Sequence, residues 1–442
     1  MPSSIHSLLP SLSVPHIIHA DILPFIERLK KTNGVEVNLE GNSFEGLGIY
    51  RLTFGKGPIV ILAWTQMHGN EATATASVFD LLDQLLAKKI DSLINFEDVF
   101  TLHIVPMLNP DGAQRCIRHN AQAIDINRDA MVQQTPEGRI LMRLVTELSP
   151  DIGFNLHDQS PYYQCGSNGT PSTIAFLAPA FNHTKDVDDS RFLAMSLIGK
   201  MAEVLQHHIP ECIARYDDTF SPRSFGDRIA EKKISTILIE SGAARNDPNR
   251  QVARQMNVIA MTVAFEMLIS KQQGHVDKAT MLRYQDSYWK IPENTPETLS
   301  SLFIRDLHFI GTQPYQASIS IKQTARYSNE FFIDTVGHLA NQAGLVEFDA
   351  GDLSFDPGLV HSINSPSILT NESYRDWLRK GVIQFQGEIQ LMENQSDLPM
   401  LFIQPLPANA SALCLQQPAY FLMRKGDKIV AAVINGQLIE LN

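Results

Sequence analysis

Positive charge is scarce in this chain. Its 442 residues carry 36 Lys+Arg against 48 Asp+Glu, a formal net charge of −12. No dense basic run occurs, and phosphate neutralisation needs clustered Lys and Arg, so the composition argues against a nucleic-acid partner. Cysteine is scarce as well. Cys116, Cys165, Cys212 and Cys414 stand apart without a paired spacing, which fits a reducing compartment better than a disulfide framework. No apolar stretch approaches the roughly 20 residues that a membrane span needs. The N-terminal stretch lacks a positively charged start, and Pro10, Ser11, Ser13, Pro15 and His16 break its apolar residues, so it does not read as a signal peptide. The expectation is a cytoplasmic protein with no membrane and no nucleic-acid partner.

What is present is an ordinary globular composition, 44% hydrophobic and 19% charged, at a length that suits two domains. Val35–Leu39 and Gly48–Phe54 read as a hairpin around Gly41, Asn42 and Ser43. Pro58–Trp64 is a continuous apolar run, as expected of a strand buried on both faces. Ala72–Lys88 follows with helical spacing, then Val99–Pro106 as a strand and Pro136–Leu148 as a helix. Ile152–Leu156, Thr173–Leu177 and Ile234–Ile239 read as strands, Ser190–His207 and Arg250–Lys271 as helices. This alternation predicts an α/β domain over residues 1–274, a mostly parallel mixed sheet flanked by helices. From residue 275 to 442, short alternating segments divided by Pro and Gly predict a β-rich accessory domain. Ala317–Ile321, Val382–Ile389, Met400–Gln404 and Lys428–Ile434 are its clearest strands, and Thr370–Arg379 a short helix.

Three features fall at the C-terminal ends of predicted parallel strands, where open α/β folds hold their ligands. They are His68-Gly69-Asn70-Glu71, His157 after Asn155-Leu156, and Glu240 in Ile239-Glu240-Ser241-Gly242. Two histidines and a carboxylate with an open fourth position suit a catalytic zinc, and a second carboxylate, placed like Glu240, can take a proton from bound water. Each feature alone recurs by chance, and a lone histidine at a strand end is more often structural. Their joint occurrence, in this order, is what raises the odds. A second cluster holds Asn109-Pro110-Asp111-Gly112, Arg118-His119-Asn120-Ala121 and Asp125-Ile126-Asn127-Arg128-Asp129. Arginine forks suit carboxylate recognition and oxyanion polarisation. The bland reading is a turn followed by a solvated polar loop.

Together these segments resemble the zinc carboxypeptidase family, which includes the pancreatic carboxypeptidases and the bacterial murein-peptide amidases. The resemblance covers roughly residues 50–270. It implies one zinc ion held by His68, Glu71 and His157, with Glu240 as general base. It implies that Arg118 polarises the scissile carbonyl, and that Asn127 and Arg128 grip the substrate's free carboxylate. There are departures. Asp158 and Gln159 follow His157 where pancreatic members carry Ser-Tyr, Asp129 replaces the usual Asn, and the family's mobile tyrosine has no clear match, Tyr216 being the nearest.

The resulting expectation is a zinc metallocarboxypeptidase or peptide amidase, with cell-wall peptides among its candidate substrates. The zinc deacylases of N-acyl amino acids, such as aspartoacylase and succinylglutamate desuccinylase, share part of the pattern and carry a C-terminal β domain. A third class, a binding protein on the same scaffold, is disfavoured because the implied ligands and base occur together. The substrate is thus expected to be a peptide or an N-acyl amino acid. Side-chain preference and oligomeric state are not written in these motifs.

Overall fold

The computed structural model describes residues 8–296, 298–324, 330–403 and 413–441. The chain divides into two compact units at Pro296, about twenty residues beyond the expected boundary at 274. The difference lies in a helix that the sequence pattern did not reveal, Lys278–Lys290, which packs on Asp189–Leu205 of the first unit. The two helices approach closely because Gly199 has no side chain. A Cβ there would sit 1.9 Å from the Tyr284 carbonyl oxygen.

The first unit runs α1 (His19–Leu29), β1 (Val35–Asn42), β2 (Gly48–Phe54), β3 (Ile59–Thr65), α2 (Thr73–Leu86), α3 (Phe96–Val99), β4 (Phe100–Val105), α4 (Pro110–Arg115), α5 (Pro136–Leu148), β5 (Ile152–Asp158) and β6 (Gln164–Cys165). It continues with β7 (Ile174–Leu177), α6 (Asp189–Leu205), β8 (Ile213–Arg215), α7 (Phe225–Ala230), β9 (Ser235–Ser241), α8 (Gln251–Gln272), α9 (Lys278–Lys290) and β10 (Asn294–Thr295). Eight strands form one mixed sheet in the order β1-β2-β4-β3-β5-β9-β7-β8. Its centre, β4-β3-β5-β9, is parallel throughout.

The apolar runs alternate between two cores, which is why those strands read as continuous hydrophobic segments. Ile61, Ala63, Phe154, Ile237 and Ile239 face α1, α2, α6 and α8. Leu62 and Trp64 face Leu141, Leu144 and Val145 of α5 and Phe225 and Ile229 of α7. Gln251–Gln272 is long and apolar enough by composition to cross a membrane, contrary to the expectation that no stretch was. Most of its apolar window, 78%, is buried inside the fold, as in a core helix. It is fastened to α2 by a buried fork in which Arg254 Nε and Nη2 donate to the two oxygens of Asp80 at 2.6 and 2.8 Å.

The second unit is β-rich, as expected. One sheet holds Leu299–Phe309, Tyr315–Gln323, Phe331–Gly337, Ala343–Asp349, Ser354–Asp356 and the meander Tyr420–Lys425, Lys428–Ile434, Gln437–Glu440. A separate parallel sheet joins Leu359–Ile363, Val382–Gly387 and Leu401–Ile403, beside the helix Asn371–Arg379. Gln404, the end of one expected strand, lies outside the described residues.

Candidate metal centre

The strand ends carry the site, with one adjustment. His157 and Glu240 lie within β5 and β9 and not just beyond them, because the parallel ladder continues through His157↔Glu240 to Asp158↔Ser241. The two side chains therefore leave neighbouring strands at the same height. His68 and Glu71 come from the turn between β3 and α2. Gln66 opens that turn in a left-handed conformation, φ 48°. Its buried amide donates to the carbonyls of Ile17 and Gly69 and accepts from Thr75.

Both glycines of the neighbouring motifs have a spatial reason. A Cβ on Gly69 would sit 1.9 Å from the carbonyl carbon of Gly112, so the turn carrying His68 and the start of α4 meet backbone to backbone. Asn109 joins them, donating to the Met67 carbonyl at 3.1 Å and capping α4 by accepting from Gly112 N. Asp111 is fully buried and holds the β1–β2 hairpin by accepting from Ser43 Oγ and Glu45 N. This segment is the turn of the bland reading, and it also buttresses His68.

His68, Glu71 and His157 are all buried, and one ligand atom from each lies within 4.8 Å of the others. His68 Nδ1 is 2.8 Å from Glu71 Oε1, and His157 Nδ1 is 2.7 Å from Oε2. Arg118 Nη1 donates to His68 Nδ1 at 3.1 Å, and a guanidinium can only donate, so that nitrogen carries a lone pair. The ring's remaining N–H is on Nε2 and goes to Asp125 Oδ1 at 3.1 Å. A lone pair 2.8 Å from a carboxylate oxygen is repulsive without a cation between them. His157 Nε2 is buried with no hydrogen-bond partner among the described residues, so no contact on that side fixes the tautomer and Nδ1 can serve as a ligand. The donor set thus fits a metal ion held by two Nδ1 atoms and a carboxylate. His68 is oriented from behind by a carboxylate, as metal-bound histidines commonly are.

Electrostatics follow from burial. Burial opposes a charge on His68, but Glu71 and Asp125 outweigh it and raise its pKa. Burial disfavours the Glu71 carboxylate, yet the two imidazoles hold it well below the usual range. Asp125 is likewise held low, against burial, by His68 and Arg118. Glu240 goes the other way. Burial pushes it up to about 8, with His157 opposing and the Glu71 and Asp158 charges adding to the rise. A bound cation would draw it back down.

Arg118 is half-exposed, and its Nε donates to Asp125 at 3.0 Å. Asp125 therefore joins His68 and Arg118, a part that the sequence reading left unassigned although it heads the Asp125–Arg128 motif. Asn127 Oδ1 accepts from Phe225 N at 2.9 Å, which leaves the amide Nδ2 as the side chain's donor. Arg128 is exposed, with Nη1 on the Asn127 carbonyl and Ser224 Oγ. Among the described residues Arg128 makes no ion pair with its neighbouring carboxylates Asp125 and Asp129. Asp125 is engaged by His68 and Arg118, and Asp129 accepts from Gln134 N, Thr135 N and Thr135 Oγ1. Asp129, one of the departures, thus anchors the start of α5. Tyr216 stacks on Tyr163, and its phenol is raised by burial and then by the charge of Glu240.

Residues 22–163 match the sequence model of the zinc carboxypeptidase family, whose members depend on zinc. No curated protein sequence matches the chain. Among solved structures, a metallo-carboxypeptidase from Burkholderia cenocepacia is 18% identical with a TM-score of 0.48, covering 59% of this chain and 71% of that one. A carboxypeptidase A from Helicoverpa armigera is 16% identical, with a TM-score of 0.44 and coverage of 57% and 74%. A Pseudomonas aeruginosa metallo-carboxypeptidase, bound to (2-guanidinoethylmercapto)succinic acid, is 18% identical, with a TM-score of 0.41 and coverage of 58% and 70%.

Proposed function

We propose that this chain, which carries a zinc carboxypeptidase segment over residues 22–163, is a zinc-dependent hydrolase cleaving amide bonds next to a free carboxylate. It would act on peptides as a metallocarboxypeptidase or peptide amidase, with one zinc ion at His68, Glu71 and His157. The observation that carries this reading is the convergence of two histidine Nδ1 atoms on Glu71, with Glu240 directly across the strand pair from His157. Zinc in such a site supplies a Lewis acid and a water of lowered pKa.

The chain's own groups supply the rest. Glu240 is the base that accepts a proton from the attacking water and returns it to the leaving amine, a role that contributes about 10²–10⁴-fold. Arg118, fastened through Asp125, aims guanidinium donors at the carbonyl oxygen as charge builds there. Loss of one such donor costs about 10²–10³-fold in comparable sites. Asn127 Nδ2 and the Arg128 guanidinium hold the substrate carboxylate, Arg128 through the paired geometry that lysine lacks.

The β-rich unit after Pro296 favours a second reading, a deacylase of N-acyl amino acids built on the same centre. One panel separates the two: dipeptides, cell-wall peptides and N-acyl amino acids, each as free acid and as amide. The peptide reading expects peptide acids to be cleaved and their amides refused, with Arg128→Ala abolishing that preference. Equal rates on acid and amide, or an Arg128→Ala variant that still discriminates, would overturn the role of Arg128. Cleavage confined to acyl amino acids would select the second reading.

A further inference from the structure

We infer that Arg250 is a positioning residue for the metal centre, a buried fork that ties together the two strand ends carrying His157 and Glu240. The inference rests on the reading of that centre given above. At the C-terminal edge of a parallel pair the ladder stops, so a carbonyl beyond it must find another donor, and the last paired carbonyl can still accept a second bond. Here the last ladder bond runs from Gln159 N to Ser241 O at 3.0 Å. Gln159 lies two residues beyond His157, and Ser241 one beyond Glu240. Arg250 reaches both carbonyls, donating from Nη1 to Ser241 O at 2.5 Å and from Nη2 to Gln159 O at 2.9 Å. One planar group spans two strands, so their separation and relative height are fixed by guanidinium geometry.

The surroundings are built to hold that fork. Arg250 is 5% exposed although it opens α8 from a surface loop. Its backbone is left-handed, φ 54°, a conformation that a side chain makes unfavourable by about 1 kcal/mol or more. Asp247 accepts from Gln251 N and Val252 N and so caps α8 in place of Arg250. Gln159 is held by donating to Ser172 and by accepting from Asn294. Ser241 Oγ accepts from Asn257 of α8. The arginine side chain is therefore not needed to cap the helix, and glycine would suit its backbone better. What it adds is the link between the metal ligand and the base. A misplacement of about 1 Å at such a site can cost about 100-fold in rate.

The test compares Arg250→Gly and Arg250→Lys with the wild type, each loaded with cobalt(II). Glycine relieves the backbone and deletes the fork, whereas lysine keeps a charge that can reach one carbonyl. The readouts are thermal unfolding, the visible absorption and affinity of bound cobalt, and kcat and KM on one cleaved substrate. Cobalt uptake by the wild type tests the centre itself, and the difference between wild type and variants tests Arg250. The expected result is a folded Arg250→Gly protein with an altered cobalt spectrum and cobalt bound about tenfold more weakly. Its kcat would fall 10–100-fold with KM within about threefold, and Arg250→Lys would lie between it and the wild type. A folded Arg250→Gly protein with wild-type cobalt spectrum, affinity and kcat would overturn the inference. So would two variants that both fail to fold, since the arginine would then serve folding and not the site.

Discussion

Gly242, two residues past Glu240, tests the strand-end packing without touching any chemical group. A Cβ at Gly242 would sit 1.8 Å from the Ser172 carbonyl oxygen and 2.8 Å from Gln159 Nε2. Ordinary contacts begin near 3.4 Å, so the two backbones would have to part by about 1.5 Å. That movement strains two buried hydrogen bonds, Gly242 N to Thr173 O and Gln159 Nε2 to Ser172 O, both 2.8 Å long. Overpacking costs about 1–3 kcal/mol, and losing the net contribution of each of these two hydrogen bonds costs about 1 kcal/mol. Gly242→Ala should therefore destabilise the first unit by about 3–5 kcal/mol. With about 2.1 cal/mol/K of unfolding entropy per residue, a unit ending at Pro296 should lose about 5–8 °C in Tm. Scanning calorimetry of Gly242→Ala reads this directly. Gly311, with no atom of the described residues within 4 Å of its would-be Cβ, serves as the control. A Gly242→Ala transition within about 1 °C of the wild type would refute the close-approach account of this glycine.

Glu240→Gln should keep the fold and the metal while lowering kcat by about 10²–10⁴-fold. Near-normal turnover would move the base elsewhere. His103 supplies a pH dependence away from the site. It is buried, and its Nδ1 accepts from Arg51 Nη1 at 3.1 Å and lies 2.9 Å from Thr53 Oγ1. Burial, aided by the Arg51 charge, lowers its pKa from 6.5 to about 4. The unfolded chain therefore takes up the proton first. The stabilisation is complete above the unfolded value and is lost as pH falls from about 6.5 to about 4, by roughly 3 kcal/mol in all. Urea unfolding at pH 7.5 and pH 4.5 should show a stability loss in the wild type that exceeds the loss in His103→Gln by about 2–3 kcal/mol. Equal losses in the two proteins would contradict the argument.

Much of the architecture was legible in local pattern. Continuous apolar runs marked β3, β4 and β9 because helices cover both faces of those strands, and α5 was readable to its ends because Pro136 opens it. Helix α1 was missed because Pro24 interrupts it, and only Ile22, Ile26 and Leu29 against the core show why it forms. The expected boundary at 274 and the division at Pro296 differ by α9, which buries only Met281, Tyr284 and Tyr288 and gains its place by packing on α6. At the site, the sequence pointed to His68, Glu71, His157 and Glu240 because they fall at predicted strand ends, and the structure brings the first three together. The fork of Arg250, the tether from Asp125 to Arg118, and the amide of Asn127 turned by Phe225 were not. Two of these contacts, Arg250 to Gln159 and Asn127 to Phe225, join residues 91 and 98 apart, and nothing in residue spacing encodes such pairings.

The measurement that bears most directly on the central claim is metal content. Wild-type protein, purified without added metal and analysed by elemental emission, should carry close to one zinc per chain. His68→Ala and His157→Ala should each retain less than about a tenth of that after dialysis, given the 10–100-fold loss of affinity that follows damage to such sites. Stoichiometric zinc in both variants, or a wild type that binds none when zinc is supplied, would contradict a centre built from His68, Glu71 and His157.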